Sequence, residues 1–465
     1  MDDIKSEHPE YLAKKHVWKT YRDLYVGGED LKNSAASYLT RRQKEPLDVY
    51  GERLGRVFYE NYVGSIIDWY AATLFRREPM VLAEGENQMG KRFLNEFTED
   101  CDLKGKTLSE FFRGRLIEML ICGRSYMLVD FPRATGQPSS RAEEEASGVA
   151  RAYLVEYRPE DVIDWSVDER GNYEWVVVRS SFLTKKGPGS RGTVRETRWT
   201  HYDRTTYRAY RQEKRPGGEG RIELVDSGRH GLAKQERVPL FEMRAPEGLW
   251  LMNKAGLLQL EHFNKSNALS WALSVGLFAM PVVYTDREWN QIVGESYYIQ
   301  LGPEDKFGWT EPEGHVYQVA AENLKRLQEE IYRVCYLMSQ AGGALASRAA
   351  QSGTSKQRDF AITQEVLRAY GDIVKDTMKN VLRAILAARE DDLALDVSGM
   401  DEFDIGDFSG ELADAERLLG MGLSSPTLKK QIFKKLAFKY LCDVRQELKD
   451  RIAQEIDEEI DKAQS

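Results

Sequence analysis

The sequence predicts a helix-rich α+β protein. Apolar residues recur at helical spacing in several long segments, whereas residues 153–243 contain short aromatic and β-branched runs separated by turn residues. Of the 465 residues, 42% are hydrophobic and 11% aromatic, which is too much packing material for a disordered chain. Single hydrophobic cores stop growing at about 250 to 300 residues, so we expect more than one structural region.

The first half of the chain is predicted to mix helices with strands. Apolar residues at near-helical spacing over residues 48–77 predict one long amphipathic helix that ends before Pro79. A second helix is predicted at 107–122 and ends at Gly123, after which RSYMLVDFP predicts a strand. Residues 132–148 contain no apolar side chain larger than alanine or proline and predict a surface loop.

The second half is predicted to be mainly helical, with helices at about 250–279, 321–340 and 356–389. Short strands are expected between 281 and 319, and a loop containing two glycines at 339–359. The segment Glu390–Glu416 holds eleven Asp or Glu and no Lys or Arg. Two amphipathic helices are predicted to close the chain.

Charge restricts the nucleic-acid contacts that this chain can make. The formal net charge is -9 and the pI is near 5.5, so a globally basic binding surface is excluded. Residues 184–222 are the exception, with eleven Lys or Arg against four acids and several interleaved aromatic residues. Two interpretations stay open for this segment: a nucleic-acid face, or solvated hairpins, which are the commoner reason for such composition.

Composition also limits compartment and membrane association. The four cysteines show no CxxC spacing, which argues against a disulfide framework or a zinc site and favours a reducing compartment. The N-terminus is acidic and polar, unlike a signal peptide. The apolar run Ala268–Tyr284 contains Pro281 and two serines, so it predicts a buried helix that leads into a strand in preference to a membrane span.

No catalytic residue, metal site or cofactor is predicted. Gly105-Lys106-Thr107 resembles the end of a phosphate-binding loop, but Asp100 stands where that loop needs glycine. Gly123-Arg124-Ser125 begins like a nucleophile elbow, but Met127 stands where that turn needs glycine. The six histidines include no pair at helical spacing that could bind a metal. The acidic cluster around residues 401–407 could hold a hard cation, although such clusters are more often solvated loops. Its carboxylates are Asp401, Glu402, Asp404 and Asp407.

The segment from about 249 to 390 resembles the central part of phage portal proteins. GLLQLEHFNKSNALSWALSVGLFAMPVVYT resembles the first stem helix and the opening strand of the clip in that family. WTEPEGHVYQVAAENLKRLQEEIYRV resembles the turn into the second stem helix, and GTSKQRDFAITQEVLRAYGDIV the start of the long wing helix. RVFYENYVGSIIDWYAATLFRREP and RLLGMGLSSPTLKKQI resemble the early wing helix and the turn between the C-terminal helices.

The resemblance implies a portal fold with wing, stem, clip and crown-like C-terminal helices, assembled as a ring of twelve. The wing would comprise 1–248 and 358–410. The other divisions would be stem helices at 249–280 and 321–340, a clip at 281–320, a tunnel loop at 341–357 and crown-like helices at 411–465. The chain would then be a non-enzymatic structural subunit of the virion, located at the capsid portal vertex and, during assembly, in the host cytoplasm.

By the same resemblance, the ring would form the channel for DNA packaging and ejection in tailed double-stranded DNA phages. Its implied partners are other copies of the chain, double-stranded DNA in transit, the large terminase, the major capsid protein and a tail adaptor, with no membrane. Two alternatives stay open: a head-assembly or adaptor protein without a channel, and an unrecognised nucleic-acid enzyme. The implied tunnel-loop residues are Gly342, Gly343, Ser347, Arg348 and Ser352; the implied DNA contacts are Arg348, Lys356 and Arg358; the implied clip residues are Trp289, Tyr297, Trp309 and Glu313.

Overall fold

The predicted α+β class is confirmed by a computed structural model of the chain. The structure describes residues 2–132, 148, 150–185, 193–215, 218–276, 280–286, 301–310, 314–337, 353–400, 415–420, 425–441 and 446–462. The chain divides into two compact units. Unit 1 comprises residues 1–22, 67–252 and 361–465, and unit 2 comprises residues 23–66 and 253–360.

The helices are described first, in chain order. They are α1 Pro9–Val26, α2 Gly28–Asn33, α3 Leu47–Gly55, α4 Tyr62–Leu74, α5 Gln88–Glu99, α6 Leu108–Cys122, α7 Leu251–Gly276, α8 Gly314–Val334, α9 Gly353–Arg389, α10 Pro426–Tyr440 and α11 Gln446–Lys462.

The strands form four antiparallel sheets, ordered β1-β13, β10-β2-β3, β11-β12 and β4-β5-β6-β7, with β8 and β9 both paired to β7. Their bounds are β1 Met80–Glu84, β2 Arg124–Asp130, β3 Tyr153–Tyr157, β4 Val162–Val167, β5 Tyr173–Lys185, β6 Thr193–Asp203, β7 Thr206–Arg215, β8 Gly218–Glu219, β9 Glu223–Arg229, β10 Leu240–Arg244, β11 Met280–Tyr284, β12 Lys306–Thr310 and β13 Ala394–Ser398.

In unit 1, local sequence sets both ends of α6, the helix that packs on the sheet β10-β2-β3. Thr107 accepts a hydrogen bond from the Glu110 amide while the Glu110 carboxylate accepts one from the Thr107 amide, which forms a capping box. Gly123 ends the helix with a left-handed φ of 81°. A Cβ at Gly123 would lie 2.9 Å from the indole of Trp250, so glycine is required there for space as well as for conformation.

In unit 2, the segment predicted as one helix at 48–77 is two helices, α3 and α4, and this expectation was wrong. Residues 56–61 break the pattern because their backbone groups bond to side chains of α7. Asn267 accepts a hydrogen bond from the Phe58 amide at 3.1 Å and donates one to the Phe58 carbonyl at 3.0 Å. Asn61 then accepts a hydrogen bond from the Gly64 amide in the first turn of α4.

Two further carboxamides on α7 bind the backbone of this segment in the same way. Asn264 accepts from the Thr40 amide at 2.8 Å and donates to the Tyr38 carbonyl at 3.0 Å. Gln259 accepts from the amides of Tyr62 and Val63 and donates to the Glu60 carbonyl at 2.9 Å. Together, Gln259, Asn264 and Asn267 provide donors and acceptors for a segment that is not part of any sheet; we call these three residues the carboxamide clasp.

Other boundaries also differ from expectation. α8 begins at Gly314, inside the stretch expected as the clip, and ends at Val334. α9 begins at Gly353, inside the stretch expected as the tunnel loop. The acidic stretch contains the strand β13, which pairs with β1 in a register that joins Met80 to Ser398. The N-terminal helix α1 was not anticipated from the polar composition of that region.

Replacement of Gln259 by methionine is expected to lower the free energy of unfolding by about 2 to 4 kcal/mol, because it leaves the amides of Tyr62 and Val63 and the Glu60 carbonyl without their partner. Urea unfolding measures the change. The exposed Gln318→Met in α8 is the matched control and should change stability by less than about 0.5 kcal/mol. Equal stability of the two variants would contradict a structural role for the clasp.

Candidate functional site

The candidate site lies in unit 2 and consists of two helices joined through a β-hairpin. α7 has 26 residues and α8 has 21, lengths of about 39 and about 32 Å. The strands β11 and β12 pair antiparallel between them, with Met280 opposite Thr310 and Tyr284 opposite Lys306. The helices and the hairpin therefore form one helix–hairpin–helix element.

Side-chain contacts hold α7 against α8. Lys265 donates to the Asn323 side chain at 3.0 Å, and the Tyr317 hydroxyl donates to the Ala272 carbonyl at 3.4 Å. The two contacts are about two turns apart on each helix, so the helices run side by side over that length. Leu327 and Ile331 provide the buried apolar stripe of α8.

The same helix pair leaves apolar side chains exposed. Val316 is 62% exposed and Val319 is 51% exposed, and their spacing of three residues places them on one side of α8. Leu257 and Leu273 on α7 are 72% and 41% exposed, but they are sixteen residues apart and so lie on different sides of that helix. We call Val316 and Val319 the apolar stem surface. A helix pair that already has a buried stripe does not need such residues for its own core, so they are available for contact with another chain.

His262 of α7 forms a polar cluster with Glu60 and Tyr62, and the imidazole at its centre is buried and uncharged. The His262 side chain is 2% exposed, and its Nε2 lies 3.3 Å from a Glu60 carboxylate oxygen. Burial lowers the pKa of His262, although the charge of Glu60 opposes this shift. Burial, with Glu60 adding to it, raises the pKa of Tyr62 to about 12. This cluster therefore carries no positive charge at neutral pH that could attract phosphate.

The implied channel residues are only partly described. Lys356 and Arg358 lie in the first turns of α9, and Trp309 lies in β12. The remaining implied residues lie outside the described residues. So do residues 133–147 of the predicted 132–148 surface loop and the acidic cluster at 401–407. The remaining implied residues are Gly342, Gly343, Ser347, Arg348, Ser352, Trp289, Tyr297 and Glu313.

The sequence resemblance to a phosphate-binding loop has no structural counterpart. The amides that would bind phosphate already donate to carboxylates: Gly105 to Asp100 at 2.9 Å, and Lys106 to Asp102 at 3.1 Å. The Thr107 hydroxyl caps α6. An anion would have to displace two carboxylates here, so the loop is a helix start and does not bind phosphate.

The elbow-like sequence is equally structural. Ser125 lies inside β2 with 0% of its surface exposed, so its hydroxyl cannot reach a substrate. Arg124 forms an ion pair with Glu10 and lies 5.9 Å from the ring centroid of Trp18. Both residues serve the core of unit 1.

One group of potential metal ligands, formed by Glu118, Cys122 and Glu160, occurs among the described residues. Arg22 occupies its centre: the guanidinium donates to both oxygens of each carboxylate and lies 3.5 Å from the Cys122 sulfur. Burial alone would lower the pKa of Arg22, but the hydrogen bonds that it donates to both carboxylates raise the pKa overall. The group is thus a buried ion triad with its own cation.

The comparisons with known proteins give structural neighbours alone. No protein-family model and no curated protein matches the chain. Among solved structures, the chain is similar to the neck of an empty gene transfer agent particle computed with C6 symmetry, with a TM-score of 0.41, 13% identity, and coverage of 80% of this chain and 90% of that chain. It is also similar to the virion of a native gene transfer agent particle, with a TM-score of 0.40, 14% identity, and coverage of 86% and 96%.

A third similar structure is the neck of a native gene transfer agent particle computed with C12 symmetry, with a TM-score of 0.38, 12% identity, and coverage of 80% and 90%. TM-scores below 0.5 leave the fold and function of this chain to be argued from its own residues. Within the described ranges, no helix combines the length and apolarity that a membrane crossing requires.

Removal of the cation from the ion triad should reverse the pH dependence of stability. Burial raises the pKa of Glu118, but Arg22 outweighs it and the net pKa is lowered, so the pair stabilises the fold above the unfolded pKa of about 4.5 and this stability is lost as the pH falls. In Arg22→Met the two carboxylates lose the cation to which they are hydrogen-bonded, which we expect to cost about 3 to 5 kcal/mol at pH 7.

Burial then raises the carboxyl pKa values of the variant, so its stability should increase as the pH falls from 8 to 5, whereas the parent should change little over that range. Urea unfolding at each pH measures both. The triple change Arg22→Met/Glu118→Gln/Glu160→Gln is the control and should show no gain at low pH. A variant that loses stability at pH 5 would contradict this account of the triad.

Proposed function

We propose that the chain is a portal subunit, and that copies of it close into a ring whose channel carries double-stranded DNA into and out of a phage capsid. The observation that carries the proposal is the helix–hairpin–helix element with its apolar stem surface. It occurs in the order stem helix, strand hairpin, stem helix and long helix, which the sequence resemblance to portal proteins implies.

A ring explains why apolar residues remain exposed on a helix pair that already has its own buried stripe. In a closed ring each subunit presents one side of its stem to the next subunit, so both sides are buried without any free end. Val316 and Val319 would then be covered by a neighbour. The same surface would be a solubility cost in a monomer.

The charge of the chain suits a conduit. Twelve copies at -9 each would carry 12 × -9 = -108, and each phosphate that a protein neutralises adds to the affinity for DNA. A predominantly acidic ring with few cations in its channel would let DNA slide. Lys356 and Arg358, at the start of α9, and Arg348 are the residues proposed to make weak, transient phosphate contacts.

Energy for packaging would come from a separate ATPase, the large terminase in the portal family, because the Gly105-Lys106-Thr107 loop is filled by carboxylates. The β11–β12 hairpin belongs to the proposed clip, the surface expected to bind terminase and later a tail adaptor. Contact with the major capsid protein is proposed for the wing.

Aspartate at the apolar stem surface is expected to prevent ring formation. The double variant Val316→Asp/Val319→Asp places two like charges at each subunit contact, where burial of an unpaired charge is costly. Mass photometry and negative-stain microscopy should show closed rings for the parent and small species for the variant. Met89→Asp, at a 46% exposed residue of α5, is the control and should still form rings.

A parent protein that stays monomeric at all concentrations would contradict the ring and would favour an adaptor or other head-assembly protein without a channel. Rings that form equally well with both stem valines replaced would contradict the assignment of this surface alone.

The tunnel-loop assignment has its own test. Deletion of residues 342–350 removes Gly342, Gly343 and Arg348, so rings should still form while DNA packaging or retention falls. A nuclease-protection assay on assembled particles measures the packaged DNA. Particles that package and retain DNA like the parent would show that these residues are not a tunnel loop.

A further inference from the structure

The basic segment singled out by composition forms part of a sheet in unit 1 with two unlike faces. One face carries Val176, Val178 and Tyr202, each at most 9% exposed, and packs into the core of unit 1. Because side chains alternate along a strand, the neighbouring residues point to the opposite face. The strand register of β6, β7 and β9 therefore defines which arginines share a surface.

Three arginines lie on the outer face. Arg195 is on β6, Arg208 is on β7 opposite His201, and Arg229 is on β9 opposite Thr206. Arg208 and Arg229 are diagonal neighbours across adjacent strands, a spacing of about 7 to 8 Å. All three are exposed, and in the described part of the chain none of their guanidinium groups has an ion-pair or hydrogen-bond partner. We call this surface the arginine face.

Aromatic rings lie between these cations. Trp199 and Tyr210 are direct cross-strand partners on the arginine face, but Trp199 is only 5% exposed and Lys5 lies 5.5 Å from its ring centroid. The Trp175 and His201 rings stack at 5.8 Å. The aromatic rings of this face are therefore packed, and its exposed groups are the arginines.

On the opposite face of the same strands, the face that carries Tyr202, positive and negative charges are paired. Arg198 forms an ion pair with Glu196 and lies over the Phe182 ring, and Arg211 has Glu223 as its cross-strand partner. The excess of positive charge in this sheet is therefore confined to one face. The register also places Asp203 on the arginine face, where its carboxylate accepts hydrogen bonds from Thr205 and Thr206. The three exposed arginines outnumber it, and in a chain of net charge -9 they are complementary to an external polyanion.

We infer that the arginine face binds the phosphate backbone of a nucleic acid through residues other than those of the proposed channel. Arginine forks match phosphate oxygens, so exposed arginines on one face of a sheet suit a phosphate backbone. The binding is sequence-independent, because phosphate contacts position a nucleic acid without reading its bases. It does not require ring formation, so it can fail or succeed independently of the portal proposal.

The test compares two variants of the full chain that carry the same net charge. Arg195→Gln/Arg208→Gln/Arg229→Gln removes the arginine face. Arg76→Gln/Lys104→Gln/Arg113→Gln removes three exposed cations elsewhere in unit 1, none of which forms an ion pair within the described residues. Fluorescence anisotropy with a labelled duplex of about 30 base pairs, titrated at several salt concentrations, measures the affinity.

Loss of the arginine face should weaken duplex binding about tenfold or more at low salt and reduce the slope of log K against log salt by up to about 2.7, since each phosphate contact contributes about 0.9. The control variant should bind like the parent. Circular dichroism and thermal unfolding should be the same for all three proteins, because the replaced side chains are exposed.

Two results would overturn the inference. The first is equal affinity and equal salt slope for the parent and the arginine-face variant. The second is displacement of the duplex by poly-glutamate as effectively as by unlabelled DNA of the same charge, which would identify an acidic protein as the partner. Ring formation, checked on the same samples by mass photometry, reports separately on the portal proposal.

Discussion

The carboxamide clasp is the constraint on which unit 2 depends. A buried backbone group without a partner costs free energy comparable to a lost hydrogen bond, and residues 38–63 are not part of any sheet. Three side chains of α7 supply the missing donors and acceptors, and each must stay opposite its own backbone group. A shift of α7 by one residue along its axis, about 1.5 Å, would break all three. The proposed stem helix is therefore held in a fixed register before any neighbouring copy binds, which lowers the cost of ordering it in an assembly.

Both units also bury ion pairs: Arg53 with Glu45 in unit 2, and two arginine sites in unit 1. Arg22 binds two carboxylates in bidentate pairs, and Arg389, with 1% of its side chain exposed, binds Asp391 and stacks at 3.8 Å on Phe93. Such pairs do not raise stability much over an apolar core of equal volume, but loss of one partner is severe. They fix where α1 and the end of α9 can lie within unit 1.

Sequence analysis predicted those elements whose signals are local. α6 was predicted well because Gly123 marks its end locally, and the β region because its short aromatic and β-branched runs lie between turn residues. The helix at 48–77 was wrong because periodicity does not register the tertiary bonds of Phe58 and Asn61. α1 was missed although Tyr11, Trp18 and Tyr21 recur near helical spacing, since the polar composition hid them.

Composition located the basic segment but could not assign it a face. The register of β6 with β7 decides that Arg198 joins an acidic row while Arg208 does not, and a shift of one residue would exchange them. The clasp residues were equally beyond prediction, because Asn and Gln on a helix usually bond to water. The sequence spacing of Gln259, Asn264 and Asn267 gives no sign that all three bind backbone groups on the two sides of α3.

The separation of charge between surfaces is what makes an acidic chain compatible with a nucleic-acid partner. A uniformly acidic protein would repel DNA everywhere, and a uniformly basic channel would hold it, because counterion release adds to affinity with every phosphate contact. In this chain the outer face of one sheet is positive and the net charge is negative. If both proposals hold, binding at the arginine face and passage through the channel would use different residues, so the cations that bind DNA would not be those that line its path. That division requires the arginines to be positioned by strand register, since three cations spread at random over an acidic surface would be neutralised by neighbouring carboxylates.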